Sequence, residues 1–344
     1  MAVDYLYDVA PAAGEIYRMD CVPDQAIGWI YMPLPFALDH VNLWLLGDQS
    51  DGPLAVIDTG IQSDKSKALW QDMLGNTRKP TELLVTHYHP DHIGLAGWMV
   101  NQLGCPCYMS AQEIDQARHA HSASDEDFSN GQSTWYRRHG LDEARVVEVT
   151  ALGNTYRPIV AELPKDVILL AAGDTVSLGG IEWRVMTGGG HSAEQICLYS
   201  KKLNVLIAAD QVLPRITPNI SLVWYKDSGD PLATFLSSLD MFSDLPEDVV
   251  VLPSHGLPFR GLHDRIEVLR EHHEERLELI LQSSKQPVTA TALMPVLFRR
   301  ELDPRQLMFA MGECLSHIRL LTNSGLLKTE NIDGVDHFRV ATAT

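Results

Sequence analysis

The segment VTHYHPDHIG, residues 85–94, places His87, His89, Asp91 and His92 close together in the chain. It continues the apolar run TELLV, which is typical of a buried strand. Two interpretations are open: a polar turn rich in imidazole, or half of a metal site whose other ligands lie elsewhere. Four ligand-type side chains at this spacing favour the metal site. A metal site constrains the fold strongly, because distant segments of the chain must then converge on one point.

The directions of these four side chains indicate more than one metal. His87 and His89 are two residues apart at the predicted end of a strand, so both should project to the same face. A proline ends the strand, and Asp91 and His92 then lead into a helix predicted to begin near Gly94. A single tetrahedral Zn²⁺ has little use for two separately directed pairs of ligands. Two adjacent metals would use both.

Three later positions supply the missing ligands. His191 follows three glycines in GGGHS, Asp210 ends the apolar run NVLIAAD, and His255 follows VVVLPS. Taken alone, each of these residues is more often structural or solvated than a ligand. The cluster at 87–92 strengthens the interpretation of all three as metal ligands. Asp210 is the natural bridge between two metals because one carboxylate can bind two cations.

The order of strands and helices predicts an α+β protein with four layers, αββα. A strand-rich block covers about 40–110, and a second block contains TVSLGGIEWRVM, ICLYSKKLNVLIAAD and DVVVLPSHG. The first two of these runs predict a meander of hairpins with turns at Gly179-Gly180 and Lys201-Lys202. Between the blocks, about 111–165 is polar and predicts a helical insertion. The run DKSKALWQDMLG predicts a helix ending at Gly75.

The C-terminal part of the chain predicts a separate small module. After an amphipathic helix over 262–284, the pattern of helix, helix and two-stranded wing resembles a winged helix. We therefore expect a main domain with the candidate metal site over 1–262 and a C-terminal helix plus winged-helix-like subdomain over 263–344.

Charge and cysteine content limit the partners and the compartment. The net charge is −18, which disfavours nucleic acid as a partner because an acidic surface repels phosphates. The five cysteines are scattered, as is typical of a reducing compartment. Neither a signal peptide nor an apolar run long enough for a membrane span is apparent. These features predict a cytoplasmic protein without a membrane partner.

The motifs resemble those of the metallo-β-lactamase-fold hydrolase superfamily, and THYHPDHIG matches its signature at every ligand position. The resemblance covers roughly residues 25–260 and favours the hydroxyacylglutathione-hydrolase-like branch, since true β-lactamases commonly carry cysteine where Asp210 stands. It implies that Asp58 of VIDTG supports the ligands. It also implies two metal sites: the first on His87, His89 and His191, the second on Asp91, His92 and His255, with Asp210 bridging both.

The ligand inventory predicts the chemistry. A water held between two dications loses a proton near neutral pH and becomes a bridging hydroxide nucleophile. Asp91 can orient that nucleophile or pass its proton to the leaving group, so Asp91 and Asp210 are the predicted catalytic residues. Imidazole with carboxylate suits Zn²⁺ best, and Fe and Mn also accept mixed nitrogen and oxygen ligands. The predicted cofactor is two Zn²⁺ per chain.

The substrate is the least constrained feature. A small-molecule ester, thioester or lactone is favoured, and the alternative is a metal-dependent endoribonuclease or phosphodiesterase that docks through the winged helix. The layout resembles that of β-lactamase-like proteins with endoribonuclease activity. From Lys285 onwards, however, seven Lys and Arg stand against six Asp and Glu, without a basic stripe. The subdomain is therefore interpreted as a packing module beside the active site or in a homodimer interface. Candidate substrate contacts are Arg215, Asn219, Trp224, Tyr225, Trp135 and Tyr136.

Overall fold

The computed structural model describes residues 3–48 and 50–341. Its helices are α1 (Asp64–Asn76), α2 (Pro90–Ile93), α3 (Ala96–Leu103), α4 (Ala111–Ser122), α5 (Asp125–Arg138), α6 (Glu143–Thr150), α7 (Pro231–Ser238), α8 (Leu262–Ser283), α9 (Ala290–Leu297) and α10 (Pro304–Asn323). Its strands are β1 (Asp4–Tyr5), β2 (Ile16–Arg18), β3 (Ile27–Pro33), β4 (His40–Leu46), β5 (Ala55–Ile57), β6 (Glu82–Leu84), β7 (Cys107–Met109), β8 (Ile168–Leu169), β9 (Thr175–Leu178), β10 (Ile181–Gly188), β11 (Gln195–Ser200), β12 (Val205–Ala209), β13 (Val250–Pro253), β14 (Phe259–Arg260), β15 (Val288–Thr289), β16 (Leu327–Ile332) and β17 (Val335–Val340). No helix among the described residues is long and apolar enough to cross a membrane.

Two seven-stranded sheets carry the predicted ligands. One has the order β2-β3-β4-β5-β6-β7-β8 and the other the order β1-β14-β13-β12-β11-β10-β9. In the first sheet β5, β6, β7 and β8 run parallel, while β2, β3, β4 and β5 pair antiparallel. In the second sheet β12 and β13 run parallel. The mixed α+β class predicted from the sequence is confirmed.

Strand β4 shows why the two sheets stack. Its residues are almost all buried, and alternate side chains point to opposite faces. Val41, Leu43 and Leu45 pack into a core shared with helices α1, α3 and α4. Trp44 and Leu46 pack into a second core with side chains of β10, β11 and β12 from the other sheet. Burial on both faces accounts for the nearly continuous apolar run HVNLWLL.

The predicted meander is confirmed in strands β9 to β12, which pair antiparallel in sequence. Gly179 and Gly180 form the two-residue turn between β9 and β10, with φ angles of 60° and 71°. Both angles lie in the left-handed region that a tight hairpin turn of this kind requires, and glycine adopts it without strain. Lys201 and Lys202 lie in the turn between β11 and β12.

Three element boundaries differ from the sequence expectation. Strand β6 ends at Leu84, so His87 and His89 lie in extended chain beyond it. The next helix begins at Pro90 and not near Gly94, because proline at a first helical position has a φ angle suited to the helix. Helix α1 continues through Asn76, one residue past the predicted end at Gly75.

The described chain folds into two units. The first contains the chain up to Ser122 together with Tyr156–Pro218 and Leu239–Ile266, and it holds both seven-stranded sheets. The second contains Ala123–Thr155, Asn219–Ser238 and the chain from Glu267 onwards. The predicted domain boundary after residue 262 remains a prediction.

The second unit has its own apolar core, built on helices α5, α6, α9 and α10 and a three-stranded sheet in the order β15-β17-β16. Helix α10 starts with a capping box in which Asp303 accepts from the backbone N–H of Gln306 and the Gln306 side chain accepts from the N–H of Asp303. The predicted order of helix, helix and two paired strands is therefore present, with β15 added at one edge.

A histidine pair in the second unit leads to a prediction about acid stability. His273 on α8 and His317 on α10 are both buried, and their Nδ1 and Nε2 atoms lie 3.1 Å apart. Burial, reinforced by the partner histidine, by His272 and by Arg276, lowers the pKa of His273 from 6.5 to about 3. Burial also lowers the pKa of His317 to about 4, although its hydrogen bond to the carbonyl of Glu313 opposes the shift.

Because the unfolded chain binds protons at these histidines near pH 6.5 and the folded chain does not, stability should fall as the pH drops from about 6.5 towards 4. The expected slope is at most about 1.4 kcal/mol per pH unit for each histidine. Urea unfolding of the wild type and of His317→Gln at several pH values would test this. The variant should show a shallower decline below pH 6.5, and identical slopes would contradict the assignment.

Candidate metal centre

The extended chain after β6 directs two histidines to one point. His87 is fully buried, and its Nε2 lies 3.0 Å from Nδ1 of His89. Nδ1 of His89 in turn lies 2.9 Å from Nε2 of His191, which the loop between β10 and β11 supplies. Burial, followed by the neighbouring His191, lowers the pKa of His89 to about 3. The imidazole is therefore neutral, which is the form that binds a metal.

The glycines before His191 shape its loop. Gly190 has a φ angle of 96°, in the left-handed region that favours glycine. A Cβ on Gly188 would collide with the side chain of Gln211, so the backbone approaches that side chain closely.

A second group forms beside the first. Asp91 and His92 lie on the single turn of α2, and His255 follows β13. Nε2 of His255 lies 3.4 Å from Oδ2 of Asp91, and Nε2 of His92 lies 3.6 Å from the same carboxylate oxygen. The rings of His87 and His92 nevertheless lie only 3.9 Å apart between centroids, so the two groups adjoin each other. The division of the motif between two metals stays a prediction.

Asp210, which follows β12, lies between the two groups. Its Oδ2 is 3.2 Å from Nε2 of His191 and 3.5 Å from Nε2 of His255, and its Oδ1 is 3.6 Å from Nε2 of His92. Burial alone would raise the pKa of Asp210, but His255 and His92 outweigh it and hold the pKa well below its usual range. An ionised carboxylate therefore faces histidines of both groups.

The donor set fits metal ions. Three buried atoms of these groups have no hydrogen-bond partner within the described part of the chain: His92 Nε2, His255 Nε2 and Asp210 Oδ1. Leaving such atoms unpaired is costly unless something binds them. Three overlapping groups of ligand atoms each lie within 4.8 Å: His87, His89 and His191; His87, His92 and Asp210; Asp91, His92 and His255.

Asp58, to which the resemblance assigns a supporting role, forms a hydrogen bond to His92. It is 2% exposed and has a φ angle of 62°, an uncommon conformation for a residue other than glycine. Its carboxylate accepts from the backbone N–H of Thr86 at 2.7 Å and from Nδ1 of His92 at 2.8 Å. Burial lowers the pKa of His92, but Asp91 and Asp58 outweigh it and raise the pKa to about 9. The bond to Asp58 leaves Nε2 of His92 facing the site.

Two further orienting residues were missed from the sequence. The backbone carbonyl of His40 accepts from Nδ1 of His255 at 2.6 Å, so Nε2 of that ligand faces the site. Gln195, which is buried, accepts from the backbone N–H of Asp210 at 3.2 Å and donates to Gln211 at 2.7 Å. His40 and Gln195 are each a polar residue at the start of an apolar strand, and the sequence gives no other indication of their roles.

The predicted substrate contacts divide between the units. Arg215 is exposed in the loop after β12 of the first unit. Trp135 and Tyr136 are buried in the core of the second unit. The remaining three, Asn219, Trp224 and Tyr225, also belong to the second unit and are half-buried. Their role in binding substrate stays a prediction.

Comparisons with known proteins agree with this geometry. The family model described as "Metallo-beta-lactamase superfamily" matches residues 37–255, and that described as "Metallo-beta-lactamase-like, C-terminal domain" matches residues 277–341. A crystal structure of a beta-lactamase domain protein from Burkholderia ambifaria is 38% identical, with a TM-score of 0.89 and 98% of each chain covered. A metallo-beta-lactamase family protein from Thermus thermophilus is 28% identical, with a TM-score of 0.77, covering 92% of this chain and 99% of that one.

An activity is named for some of the relatives. The human acyl-coenzyme A thioesterase MBLAC2 is 27% identical over 200 residues, a match that covers 54% of this chain and 63% of the human protein.

Proposed function

Because this chain belongs to the metallo-β-lactamase superfamily, a family of hydrolases, and carries a C-terminal domain of metallo-β-lactamase-like type, we propose that it hydrolyses thioesters of small molecules at a dinuclear metal centre. The observation that carries the proposal is the placement of Asp210, whose two oxygens face His191, His255 and His92 at 3.2–3.6 Å. A carboxylate in this position can serve two cations, as in the hydroxyacylglutathione-hydrolase-like branch. The similarity to a protein named as an acyl-coenzyme A thioesterase supports the thioester.

The proposed cofactor is two Zn²⁺, since imidazole with carboxylate suits zinc best, and Fe and Mn accept the same donors. His87, His89 and His191 would hold one ion and Asp91, His92 and His255 the other, with Asp210 between them. Ions held there would supply Lewis acidity and activate a water molecule for attack on a carbonyl carbon.

The side chains of the chain itself have defined tasks. Nδ1 of His92 donates to Asp58 and Nδ1 of His255 donates to the carbonyl of His40, so both Nε2 atoms face the site, where a bound metal would replace a proton. Asp91 is the more accessible of the two central carboxylates, at 20% exposed against 7% for Asp210. We assign to the carboxylate of Asp91 the transfer of a proton from the attacking water molecule to the leaving thiolate.

The second unit is proposed to be winged-helix-like and to serve packing or homodimer formation, not nucleic-acid binding. In support, Arg319 on α10 is 3.1 Å from Asp227 and is thus neutralised within its own unit. The five free cysteines support a cytoplasmic location.

The test is a substrate panel with the metal content measured in parallel. Zinc-loaded protein would be assayed with acyl-coenzyme A esters of several chain lengths, S-lactoylglutathione, a lactone, nitrocefin and single-stranded RNA. We expect thiol release from the thioesters to exceed turnover of every other compound and to require about two metals per chain. Cleavage of RNA without thiol release would overturn the proposal in favour of the phosphodiesterase alternative.

A further inference from the structure

Glu113 is a buried carboxylate that the proposed chemistry does not use. It lies in the first turn of α4 and has no measurable exposure. Its Oε2 accepts from the backbone N–H of Tyr88 at 2.9 Å, and its Oε1 accepts from the backbone N–H of Glu194 at 2.6 Å. Burying a carboxylate is costly, and two N–H bonds offset that cost. The side chain thus bridges two loops that are distant in sequence.

These two loops carry one complete group of metal ligands. Tyr88 lies between His87 and His89, while Glu194 is three residues after His191. Glu113 accepts from backbone N–H groups and not from flexible side chains, so its two hydrogen bonds restrain the backbone of each loop directly. A shift of either loop would change the distances among the three imidazoles.

Other contacts restrain the same loops. The backbone carbonyl of Tyr88 accepts from the hydroxyl of Tyr156 at 2.7 Å, so both backbone groups of this residue are bonded to side chains. The hydroxyl of Ser110 donates to the carbonyl of Glu194 at 2.8 Å, one residue before α4 begins. The start of α4 therefore holds Glu194 at both its N–H and its carbonyl. The Asp91 and His255 side of the site has no such contact with α4 among the described hydrogen bonds.

We propose that Glu113 is a positioning residue that sets the spacing of His87, His89 and His191, and with it the metal affinity of this three-histidine group alone. The inference rests on the proposed metal-dependent function. Both oxygens are needed as acceptors. A glutamine side chain has one acceptor oxygen and one NH₂ donor, so its NH₂ group would face a backbone N–H and that hydrogen bond would be lost. Aspartate keeps both acceptors but is one methylene too short to reach both loops.

The test measures metal affinity in two backgrounds without using turnover. His255→Ala leaves the three-histidine group intact, and His89→Ala leaves the group of Asp91, His92 and His255. Glu113→Gln would be added to each, and Co²⁺ binding would be measured by visible absorption in competition with a chelator. We expect Glu113→Gln to weaken binding about 10–100-fold in the first background and to leave the second unchanged. Glu113→Asp should behave like Glu113→Gln.

The matched control is Ile114→Val, a buried neighbour on the same helix that packs in the core of the first unit. It should lower the stability of the metal-depleted protein slightly and leave Co²⁺ affinity unchanged in both backgrounds. Equal weakening in both backgrounds, or none in the first, would overturn the positioning role while leaving the proposed function standing. Failure of both parent backgrounds to bind Co²⁺ would overturn the proposed function together with this inference.

Discussion

Asp210→Ala is expected to lower kcat/KM for hydrolysis by about 1,000-fold or more, while the fold persists. The substitution removes a buried, ionised carboxylate that faces His191, His255 and His92 at 3.2–3.6 Å. Lewis-acid assistance is worth several kcal/mol, and each 1.36 kcal/mol corresponds to tenfold in rate. The fold should persist because Asp210 is held through its backbone N–H, which donates to Gln195 and needs no side chain.

The measurement combines metal analysis, steady-state kinetics and thermal unfolding followed by circular dichroism. Asp210→Asn keeps the shape and one acceptor oxygen but loses the charge, so it should bind less metal than the wild type. Asp264→Ala, which removes an exposed aspartate in the first turn of α8, serves as the control and should leave metal content and turnover unchanged. Full turnover by metal-depleted Asp210→Ala would contradict the assignment of the site.

Gly94→Ala should destabilise the protein and damage the site together. The φ angle of Gly94 is −52°, which any residue adopts, so the reason for glycine is space. An added Cβ would lie 2.6 Å from both the carbonyl oxygen of Gly60 and Cα of Ile61, and it would also meet the carbonyl oxygen of Pro90. All three are backbone atoms that cannot rotate away.

The expected cost is about 3 kcal/mol, the upper end for overpacking of a close-packed interior. The strain would push α2 away from the segment after β5, which carries Asp58, and would stretch its 2.8 Å bond to His92. Because a displacement of about 1 Å in a catalytic group can cost about 100-fold in rate, we expect a comparable loss of kcat. Denaturant unfolding and kinetics would measure both effects.

Gly75→Ala is the matched control, since it is the same substitution with the opposite expectation. Gly75 lies in α1, and no atom within 4 Å would meet an added Cβ. Alanine should stabilise the helix there by up to about 1 kcal/mol and leave turnover unchanged. If Gly94→Ala were as stable and active as Gly75→Ala, close approach at Gly94 would be disproved as the reason for its glycine.

The candidate metal ligands could be selected from the sequence because ligand chemistry is a property of individual side chains. Four ligand-type residues at 87, 89, 91 and 92 form a specific pattern, and a metal site there requires further ligands. His191, Asp210 and His255 lie at predicted strand ends and could supply them. The turn that follows the two histidines was also a local feature, since proline favours the first position of a helix. The resemblance to a known superfamily then implied which of the candidate ligands share a metal ion.

The residues that orient those ligands were not predictable in the same way. Glu113 and Gln195 act through hydrogen bonds to the backbone of Tyr88 and Asp210, and the sequence separations are 25 and 15 residues. A buried glutamate near the start of a polar helix has the same sequence signature as an exposed one. Its partners are N–H groups that every residue except proline possesses, so no residue type identifies them.

The composition of the second unit was likewise a tertiary outcome. Segments 123–155 and 219–238 join the C-terminal chain there, although neither is adjacent to it in sequence. Trp135 and Tyr136, two of the candidate substrate contacts, contribute to an apolar core with α9 and α10, and burial of large aromatic surfaces favours that placement.

The sequence by itself therefore determined which atoms can bind metal, the order of strands and helices, and the alternation that buries β4 on both faces. Only the tertiary structure decided that Asp210 faces histidines of both ligand groups. It also decided that Asp58 bonds to His92, that Glu113 bonds to the backbone beside the three histidines, and which segments form the second core. The physical reason is range: donor chemistry and side-chain periodicity act within a few residues, whereas burial and backbone hydrogen bonds depend on contacts between distant segments.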